Sequence, residues 1–383
     1  MHKIAAVTGT RAEYGLLKNI LKEIVKDTQL ELQLIVTGTH LSEQYGYTIK
    51  EIKNDGFYIN ECISMLMDSN SKESTVKSMG LALIQYAQAF NNMKPDILLI
   101  LGDRYEIFAA ATTAMMMNIP IAHISGGEIT EGAIDEQIRH AITKMAHIHF
   151  SGAEIYAKNI MNMGEEAWRI FNVGDPGIEN IRVTQFMTKE QLKDDLKVEI
   201  DEQTLLITYH PVTLEIDKLQ QQIDNLIKVL DKLNKNMIIT YPNADQGGKY
   251  IIGKLEAFAK RNAKVYLFKS LGIQRYLSVM KLCGAVVGNS SSALIEAPFL
   301  KVPVVNIGNR QNGRLMADNI IPCTNDCEDI FNAVNQALST EFREKVKCTK
   351  SLYGEGSTSK EIVKVLKNIE IDDKLVKKKL VWS

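Results

Sequence analysis

The sequence predicts an α/β protein built from two doubly wound domains. Short apolar segments rich in Val, Ile and Leu alternate with longer amphipathic segments along most of the 383 residues. This rhythm is typical of parallel strands joined by helices that cover both faces of a sheet. It breaks between residues 172 and 201 and then restarts, so we expect two Rossmann-like halves. A chain of this length is also long for a single hydrophobic core.

The first half begins with a strand in KIAAVTG, and further strands are predicted in LELQLIVTG, DILLILG, IPIAHISG and HIHFSG. The segments between them have apolar residues at helical spacing, as in YGLLKNILKEIVKD, STVKSMGLALIQYAQAFNNM, EIFAAATTAMMMN and IDEQIRHAITKMA. The second half repeats the pattern with TLLITYHP, NMIITYPN, KVYLFKS, GAVVGNS and PVVNIG. We place the domains at residues 1–175 and 176–365, and expect the last segment, about 366–383, to pack back on the first domain.

Composition excludes several classes of function. The formal net charge of -1 provides no basic surface for nucleic acid or an anionic membrane, and no apolar run approaches the ~20 residues of a membrane span. The N-terminal MHKIAAVTG turns polar too soon for a signal peptide. The five scattered cysteines are expected to be free thiols in a reducing cytoplasm. His147 and His149 alternate on a strand without a suitably spaced carboxylate, so we predict core histidines and no metal.

The stretch from Gly288 to Arg314 has the character of a binding site. Ser290 and Ser291 follow an apolar strand and begin a helical pattern that we expect to stop at Pro298. Hydroxyl groups and free N–H groups at a helix N-terminus favour a phosphate or diphosphate, whereas Glu296 is suited to the hydroxyls of a ribose. Arg310 and Arg314 follow the next strand. The alternative is a serine-capped helix with surface arginines.

Polar residues also follow strands in the first half. Arg11 in TGTRAEYG could meet a phosphate, and Asp103 in GDRYE could act as an acid or base beside Arg104, or simply cap the next helix. HISGGEITEGAIDEQIRH places Glu128, Asp135 and Arg139 close together after a glycine pair. In an open parallel sheet these positions share one edge, so a ligand site is expected there.

The turns of the second half carry weaker signals. His210 ends the strand LLITY and could donate to a phosphate or be a buried structural histidine. PNADQGG, which contains Asn243, and SLGIQ, which contains Gly272, are two further turns at the same predicted edge. TGTRAEYG is not a GxGxxG motif, so dinucleotide binding has little support.

Taken together, these motifs resemble the bacterial UDP-N-acetylglucosamine 2-epimerases, in particular the hydrolysing branch of sialic acid biosynthesis. TGTRAEYG, GDRYEIFA, HISGGE, IDEQIRHAITKMAH, GNSSSALIEAP and NIGNRQNGR occur in the family's order over nearly the whole chain. The resemblance implies a glycosyltransferase-B fold, two Rossmann-like domains facing a central cleft. It also implies a reaction without metal or nicotinamide: UDP leaves by elimination to a 2-acetamidoglucal, and water then adds to give N-acetylmannosamine.

The resemblance also implies roles for the residues of this chain. Asp103 and Asp135 would be the acid/base groups, with Arg139 supporting them and His210 assisting the departure of UDP. The residues implied to bind UDP or sugar are Arg11, Arg104, Asn243, Gly272, Ser290, Ser291, Glu296, Arg310 and Arg314. Part of the family has an acidic catalytic residue at the position of Ser125, and a serine cannot replace it as a base without a partner. We therefore expect Glu128 to take over, or Asp103 and Asp135 to suffice.

The predicted function is a hydrolysing UDP-N-acetylglucosamine 2-epimerase, a cytoplasmic enzyme without cofactor. The alternative is the same chemistry on UDP-2,4-diacetamido-2,4,6-trideoxyglucose, on the route to legionaminic acid. A non-hydrolysing epimerase, a glycosyltransferase of the same fold and a regulator that lost catalysis remain further alternatives. From the resemblance we expect a homodimer or a dimer of dimers. We expect the protein to bind neither nucleic acid nor membranes.

Overall fold

The computed structural model describes residues 1–67, 71–131, 134–242 and 247–381. The chain divides into two units. Unit 1 comprises Met1–Glu128, Asp135–Glu179 and Gly354–Ser383, and unit 2 comprises Ile129–Ile134 and Asn180–Tyr353. The main division therefore lies between Glu179 and Asn180, and the chain returns to unit 1 at Gly354.

Unit 1 alternates strands and helices. Its strands are β1 (His2–Thr8), β2 (Leu30–Thr37), β3 (Glu61–Ile63), β4 (Ile97–Leu101), β5 (Ile121–Ile124), β6 (Ile148–Ser151) and β7 (Ile170–Asn172). Its helices are α1 (Arg11–Lys26), α2 (Ile49–Asn54), α3 (Lys72–Met93), α4 (Tyr105–Met116), α5 (Asp135–Met145) and α6 (Glu154–Asn162), and α7 (Pro176–Val183) crosses the division. Short 3₁₀ turns are η1 (Gly38–Leu41), η2 (Glu43–Tyr45) and η3 (Ala167–Arg169).

The strands of unit 1 form one parallel sheet in the order β3-β2-β1-β4-β5-β6-β7. The middle of β1, from Ile4 to Val7, is fully buried because helices cover both faces of the sheet. On α1, Leu17, Ile20 and Ile24 are buried at helical spacing, which fixes the face that packs on the sheet.

The C-terminal segment belongs to this unit because its apolar side chains complete the core there. Helix α15 (Thr358–Asn368) buries Ile362 and Leu366 in the same cluster as Leu17 of α1, and α16 (Asp373–Val376) adds Leu375. The backbone N–H of Ser359 donates to Oε2 of Glu179 at 2.8 Å. The apolar face of α15 therefore joins the C-terminal segment to the core of unit 1.

Unit 2 repeats the architecture. Its strands are β8 (Leu205–Thr208), β9 (Met237–Thr240), β10 (Val265–Phe268), β11 (Ala285–Gly288), β12 (Val304–Ile307) and β13 (Ile320–Cys323). Its helices are α8 (Lys189–Leu196), α9 (Leu219–Leu233), α10 (Gly248–Arg261), α11 (Gly272–Leu282), α12 (Ser291–Leu300), α13 (Cys327–Leu338) and α14 (Thr340–Val346), with η4 (Thr213–Lys218) before α9. The sheet is parallel, in the order β10-β9-β8-β11-β12-β13.

These two parallel sheets confirm the predicted pair of Rossmann-like domains. Within the described residues, we find no helix that has both the length and the apolar character needed to cross a membrane.

Candidate active site

Each sheet has a point at which the chain reverses the direction of strand addition. β1 and β4 flank this point in unit 1, and β8 and β11 flank it in unit 2. Ligands of open α/β sheets bind beyond the carboxyl ends of the strands at such a point. Arg11, Asp103, His210 and Ser290 follow these strands. The strand order thus places predicted site residues at the favoured edge of each unit.

Asp103 in the β4–α4 turn is held by a buried arginine of α5. Nη2 of Arg139 donates to Oδ2 of Asp103, and Nη1 donates to the backbone carbonyl of Glu128 at 3.0 Å. The side chain of Arg139 is 3% exposed, whereas that of Asp103 is 20% exposed. The N-cap of α4 is Arg104, so Asp103 is not the helix cap that the sequence left as an alternative. The ion pair fixes a carboxylate that solvent still reaches.

The turn after β5 has backbone conformations that restrict its residues. Gly127 has φ of 73°, and a Cβ there would lie 2.4 Å from the carbonyl oxygen of Tyr156, so glycine is required. Ser125 has φ of 63°, which is uncommon for a residue with a side chain and is often found at functional sites. Glu128 is only 3% exposed. Asp103, with a side chain that is 20% exposed, is therefore more accessible to a substrate than Glu128.

Two more predicted residues of unit 1 begin helices. Asp135 is the first residue of α5, where a carboxylate is favoured by the helix dipole. Arg11 is the first residue of α1, and its Nε lies 3.2 Å from Oε2 of Glu51, with both side chains well exposed. An exposed ion pair of this kind contributes little to stability, so Arg11 can exchange its partner for a phosphate at small cost.

Arg104 is anchored rather than free in solvent. Its Nε donates to Oε1 of Glu106 at 2.7 Å, and Glu106 is 1% exposed. The carboxylate orients the guanidinium of Arg104 at the end of β4.

In unit 2, the side chain and carbonyl of Asn289 hold three other residues together. Oδ1 of Asn289 accepts from the backbone N–H of His210 at 2.7 Å, and Nδ2 donates to the carbonyl of His210 at 2.8 Å. The carbonyl of Asn289 accepts from Nη1 of Arg310 at 3.1 Å and from Nε2 of Gln311 at 2.9 Å. The ends of β8 and β11 and the loop after β12 are thereby joined in one hydrogen-bonded group.

The imidazole of His210 is neutral in this environment. Burial lowers its pKa well below the ordinary value, and the positive charge of Arg310 lowers it further. A neutral imidazole can donate one hydrogen bond to a leaving group, but it is a weak proton donor. A bound anion would oppose the effect of Arg310 and favour protonation.

Helix α12 presents its N-terminus beside this group. Ser290 is the N-cap and Ser291 the first helical residue. Further along, Oγ of Ser292 donates to Oε2 of Glu296, and the hydroxyl of Tyr276 is hydrogen-bonded to the same Oγ at 3.0 Å. The expectation that the helix stops at Pro298 is wrong, because the helix continues to Leu300. A proline this near the C-terminal end removes only one helical hydrogen bond.

The remaining predicted residues of unit 2 lie on nearby turns. Gly272 begins α11 with φ of 70°, and its N–H donates to Oγ of Ser270 at 3.2 Å. Nη2 of Arg314 donates to Oγ1 of Thr130 at 3.2 Å, a contact that lies within unit 2. Asn243 lies outside the described residues.

Sequence reasoning missed the residues that support these side chains: Glu13, Glu106, Asn289 and Gln311. Thr10 and Glu13 stand at the spacing of a capping box, and Oγ1 of Thr10 accepts from the N–H of Glu13 at 3.3 Å. That signal was present in the sequence. The role of Asn289 depends on the adjacency of β8 and β11, whose paired residues are 80 positions apart in the chain and carry no joint signal in the sequence. Among the residues that the structure describes, no cluster of three or more His, Cys, Asp or Glu side chains could hold a metal.

The chain is similar to known proteins over nearly its whole length. The family model described as UDP-N-acetylglucosamine 2-epimerase matches residues 22–367. A Campylobacter jejuni protein, GDP/UDP-N,N'-diacetylbacillosamine 2-epimerase (hydrolyzing), is 43% identical over 97% of this chain and 96% of its own. UDP-N,N'-diacetylbacillosamine 2-epimerase (hydrolyzing) of Legionella pneumophila is 34% identical over 99% of both chains.

The chain is also similar to a third relative and to a solved crystal structure. The polysialic acid biosynthesis protein P7 of Escherichia coli is 35% identical over 96% of this chain and 94% of its own. The crystal structure of UDP-GlcNAc 2-epimerase from Neisseria meningitidis bound to UDP-GlcNAc has the same fold, with a TM-score of 0.81 at 18% identity over 95% of this chain and 99% of that one. The neighbouring fold agrees with the predicted glycosyltransferase-B-like architecture, and the chain belongs to the UDP-N-acetylglucosamine 2-epimerase family of enzymes.

Proposed function

We propose that this protein is a hydrolysing 2-epimerase that acts on UDP-2,4-diacetamido-2,4,6-trideoxyglucose, which is UDP-N,N'-diacetylbacillosamine. The observation that carries the proposal is the 43% identity, over nearly the full length of both chains, to a hydrolysing enzyme named for this sugar. This reverses the order of the two substrates expected from the sequence, where UDP-N-acetylglucosamine came first.

The proposed reaction has two steps, the elimination of UDP and the addition of water. A base removes the proton at C2 while the bond from C1 to the diphosphate oxygen breaks, so UDP leaves and a C1–C2 double bond forms. Water then adds across that bond. Hydroxide is delivered to C1, and a proton returns to C2 on the opposite face, which inverts that centre. The products are UDP and the free 2,4-diacetamido-2,4,6-trideoxymannose.

Residues at the edge of unit 1 are suited to the proton transfers. Asp103 is held in place by the buried Arg139 and is still reached by solvent, so its carboxyl group is positioned for the removal of a proton from a substrate. Asp135 and Glu128 are the other two carboxyl groups that the sequence predicted for this role, and we propose Asp135 as the partner acid because Glu128 is nearly inaccessible. A well-placed acid or base contributes about 10²–10⁴-fold to the rate.

Residues at the edge of unit 2 are suited to the leaving group. The N-terminus of α12, with Ser290 and Ser291, offers N–H and hydroxyl donors to a diphosphate, and Arg310 adds a positive charge held in place by Asn289. Glu296 could accept hydroxyl groups of the ribose once its present donor, Ser292, is displaced. Stabilising the charge that develops on UDP lowers the barrier to elimination.

A second candidate is UDP-N-acetylglucosamine, with N-acetylmannosamine as the product. It is favoured by the 35% identity to the polysialic acid biosynthesis protein of E. coli. The two sugars differ at C4, which bears an acetamido or a hydroxyl group, and at C6, which is a methyl or a hydroxymethyl group. A site that binds one set of polar groups can reject the other strongly, since an unmatched buried polar group is costly.

An experiment in D₂O separates the candidates. The protein is incubated with each UDP-sugar in turn, and with the GDP-linked diacetamido sugar, and products are followed by NMR. We expect UDP and a free diacetamido sugar deuterated at C2. If UDP-N-acetylglucosamine is consumed while the diacetamido sugar nucleotide is left unchanged, the second candidate replaces the first.

Site variants test the assignment of roles. Asp103→Asn should reduce kcat by at least about 10²-fold with UDP affinity preserved, and the exposed Asp194→Asn on α8 serves as the matched control. Glu128→Gln should retain more activity than Asp103→Asn. A severe loss in Glu128→Gln with a mild loss in Asp103→Asn would instead make Glu128 the base.

A further inference from the structure

Two buried glutamates lie behind the predicted binding edge of unit 1. Glu13 is in the first turn of α1 and is 4% exposed, and Glu106 is in the first turn of α4 and is 1% exposed. These helices follow β1 and β4, the neighbouring strands at the reversal point of the sheet. Neither carboxyl group is needed for the proton transfers proposed above.

Both side chains contact Gly9, the residue that follows β1. Oε2 of Glu13 accepts from the N–H of Gly9 at 2.7 Å. On the other side, a Cβ at position 9 would lie 2.6 Å from Cγ of Glu106 and 2.8 Å from its Oε1, so Glu106 occupies the space that a larger residue would need. The turn that leads to Arg11 is therefore held by both glutamates.

The charges around the two carboxyl groups do not balance if both are ionised. Among the residues that the structure describes, Arg104 pairs with Glu106 at 2.7 Å, and Arg104 also acts electrostatically on Glu13. Tyr86 faces both glutamates from α3 and is uncharged, and His40 of η1 is held neutral by burial between Thr8 and Thr48. Two carboxylates beside one guanidinium would leave an uncompensated negative charge in a desolvated place.

Hydrogen-bond donors are also too few. Within the described part of the chain, Oε1 of Glu13 and Oε2 of Glu106 are both buried and have no hydrogen-bond partner. Two ionised carboxylates can only accept, whereas a protonated carboxyl group supplies a donor. One proton on the pair would therefore remove the excess negative charge and supply a hydrogen-bond donor where there is none. A proton on Glu13 is consistent with its pKa, which burial raises to about 8. The charge of Glu106 acts on this pKa in the same direction.

We propose that Glu13 and Glu106 are positioning residues that share one proton: Glu13 is the neutral carboxylic acid that holds the turn at Gly9, and Glu106 is the carboxylate that orients Arg104. The pair then carries a single negative charge, which Arg104 balances. Arg104 and Arg11 are kept at the edge where the sugar nucleotide is proposed to bind, so the functional consequence rests on the proposed function. Ionisation of Glu13 adds a second negative charge behind these arginines and weakens the binding of an anionic substrate.

Glutamine at each position separates the two roles, because glutamine matches a neutral carboxylic acid in shape and hydrogen bonding but not a carboxylate. In Glu13→Gln, KM at pH 7 should stay within about two-fold of the wild-type value, and the rise of KM above about pH 8 should disappear. In Glu106→Gln, KM at pH 7 should rise about 10- to 100-fold through the loss of a charged hydrogen bond to Arg104. Glu23→Gln, on the solvent side of α1, is the matched control and should change neither quantity.

A readout without substrate separates failure of this proposal from failure of the proposed function. In protein labelled with ¹³C at the glutamate carboxyl carbon, one signal should titrate near pH 8 and should be missing in Glu13→Gln. If this signal behaves as expected but the protein turns over no sugar nucleotide, the shared-proton proposal is supported and the proposed function is wrong. The proposal is overturned if every glutamate signal titrates in the ordinary range, or if Glu13→Gln raises KM at pH 7 as much as Glu106→Gln. If Glu106→Gln does not fold, the titration of the glutamate carboxyl signals and the KM of Glu13→Gln still test the proposal.

Discussion

Replacing Glu13 by glutamine should change how the stability of unit 1 depends on pH. Burial, reinforced by the charge of Glu106, raises the pKa of Glu13 from 4.5 to about 8 in the folded protein. Between these values the folded state holds a proton that the unfolded state has released. The contribution of Glu13 to stability is therefore fully present below pH 4.5 and is lost as the pH rises towards about 8.

The magnitude follows from the linkage relation. One proton difference changes the free energy of unfolding by about 1.4 kcal/mol per pH unit, so the loss across the whole interval is on the order of 5 kcal/mol. Glutamine cannot ionise and shows no such loss. The difference in stability, Glu13→Gln minus wild type, should therefore become more favourable to the variant by about 1.4 kcal/mol for each unit of rising pH.

Urea unfolding at a series of pH values from about 5 to 8 measures this difference. The fluorescence of Trp168 in unit 1 is a suitable signal if Trp382 is replaced by phenylalanine in both proteins, because the chain has two tryptophans. Other groups that titrate in this range contribute equally to both proteins and cancel in the difference. A difference that is constant with pH would show that Glu13 titrates alike in the folded and unfolded states, and would refute the reasoning.

Two further substitutions test other parts of the structure. Gly288→Ala should destabilise unit 2 by about 2 kcal/mol or more and should weaken UDP binding measured by calorimetry. The reason is that Gly288 has φ of 139° and that the new Cβ would lie 2.0 Å from the carbonyl oxygen of Thr208. The control is Gly253→Ala on α10, which has open space around it and should be neutral or stabilising. Burial alone would raise the pKa of Glu165, but hydrogen bonds from His149, Lys144 and Lys378 lower it to about 2. Its stabilisation is therefore present above pH 4.5 and lost as the pH falls towards 2, so Glu165→Gln should lower the Tm at pH 7 and much less at pH 3. An unchanged Tm at pH 7 would contradict this account.

The fold was largely predictable from local patterns. Apolar runs such as LLIL in β4 are typical of strands buried on both faces, and the amphipathic segments between them became helices because burial of one face stabilises them. Ser290 and Ser291 were recognised at the start of a helix for the same local reason. The end of α12 differs from the predicted one because a proline in the last turn costs too little to terminate a helix that is packed along its length.

Residues whose importance depends on a neighbour distant in sequence were not predictable. Asn289 bonds to His210, 79 residues away, and Arg139 pairs with Asp103, 36 residues away. Glu13 could be identified as part of a helix cap, but its proximity to Glu106 follows from the pairing of β1 with β4.

The sequence by itself determined the class of fold, the alternation of elements and the turns that carry polar residues, because these depend on hydrophobic periodicity and on the conformational preferences of a few residues at a time. It also determined the family, through motifs in a fixed order. The tertiary structure decided which turns meet, since the order of strands in a sheet depends on contacts between distant segments. It thereby placed Asp103 on the buried Arg139, joined His210 and Arg310 through Asn289, and enclosed two glutamates with one arginine. The raised pKa of Glu13 follows from that enclosure, because burial and the charge of Glu106, rather than residue type, disfavour its ionised form.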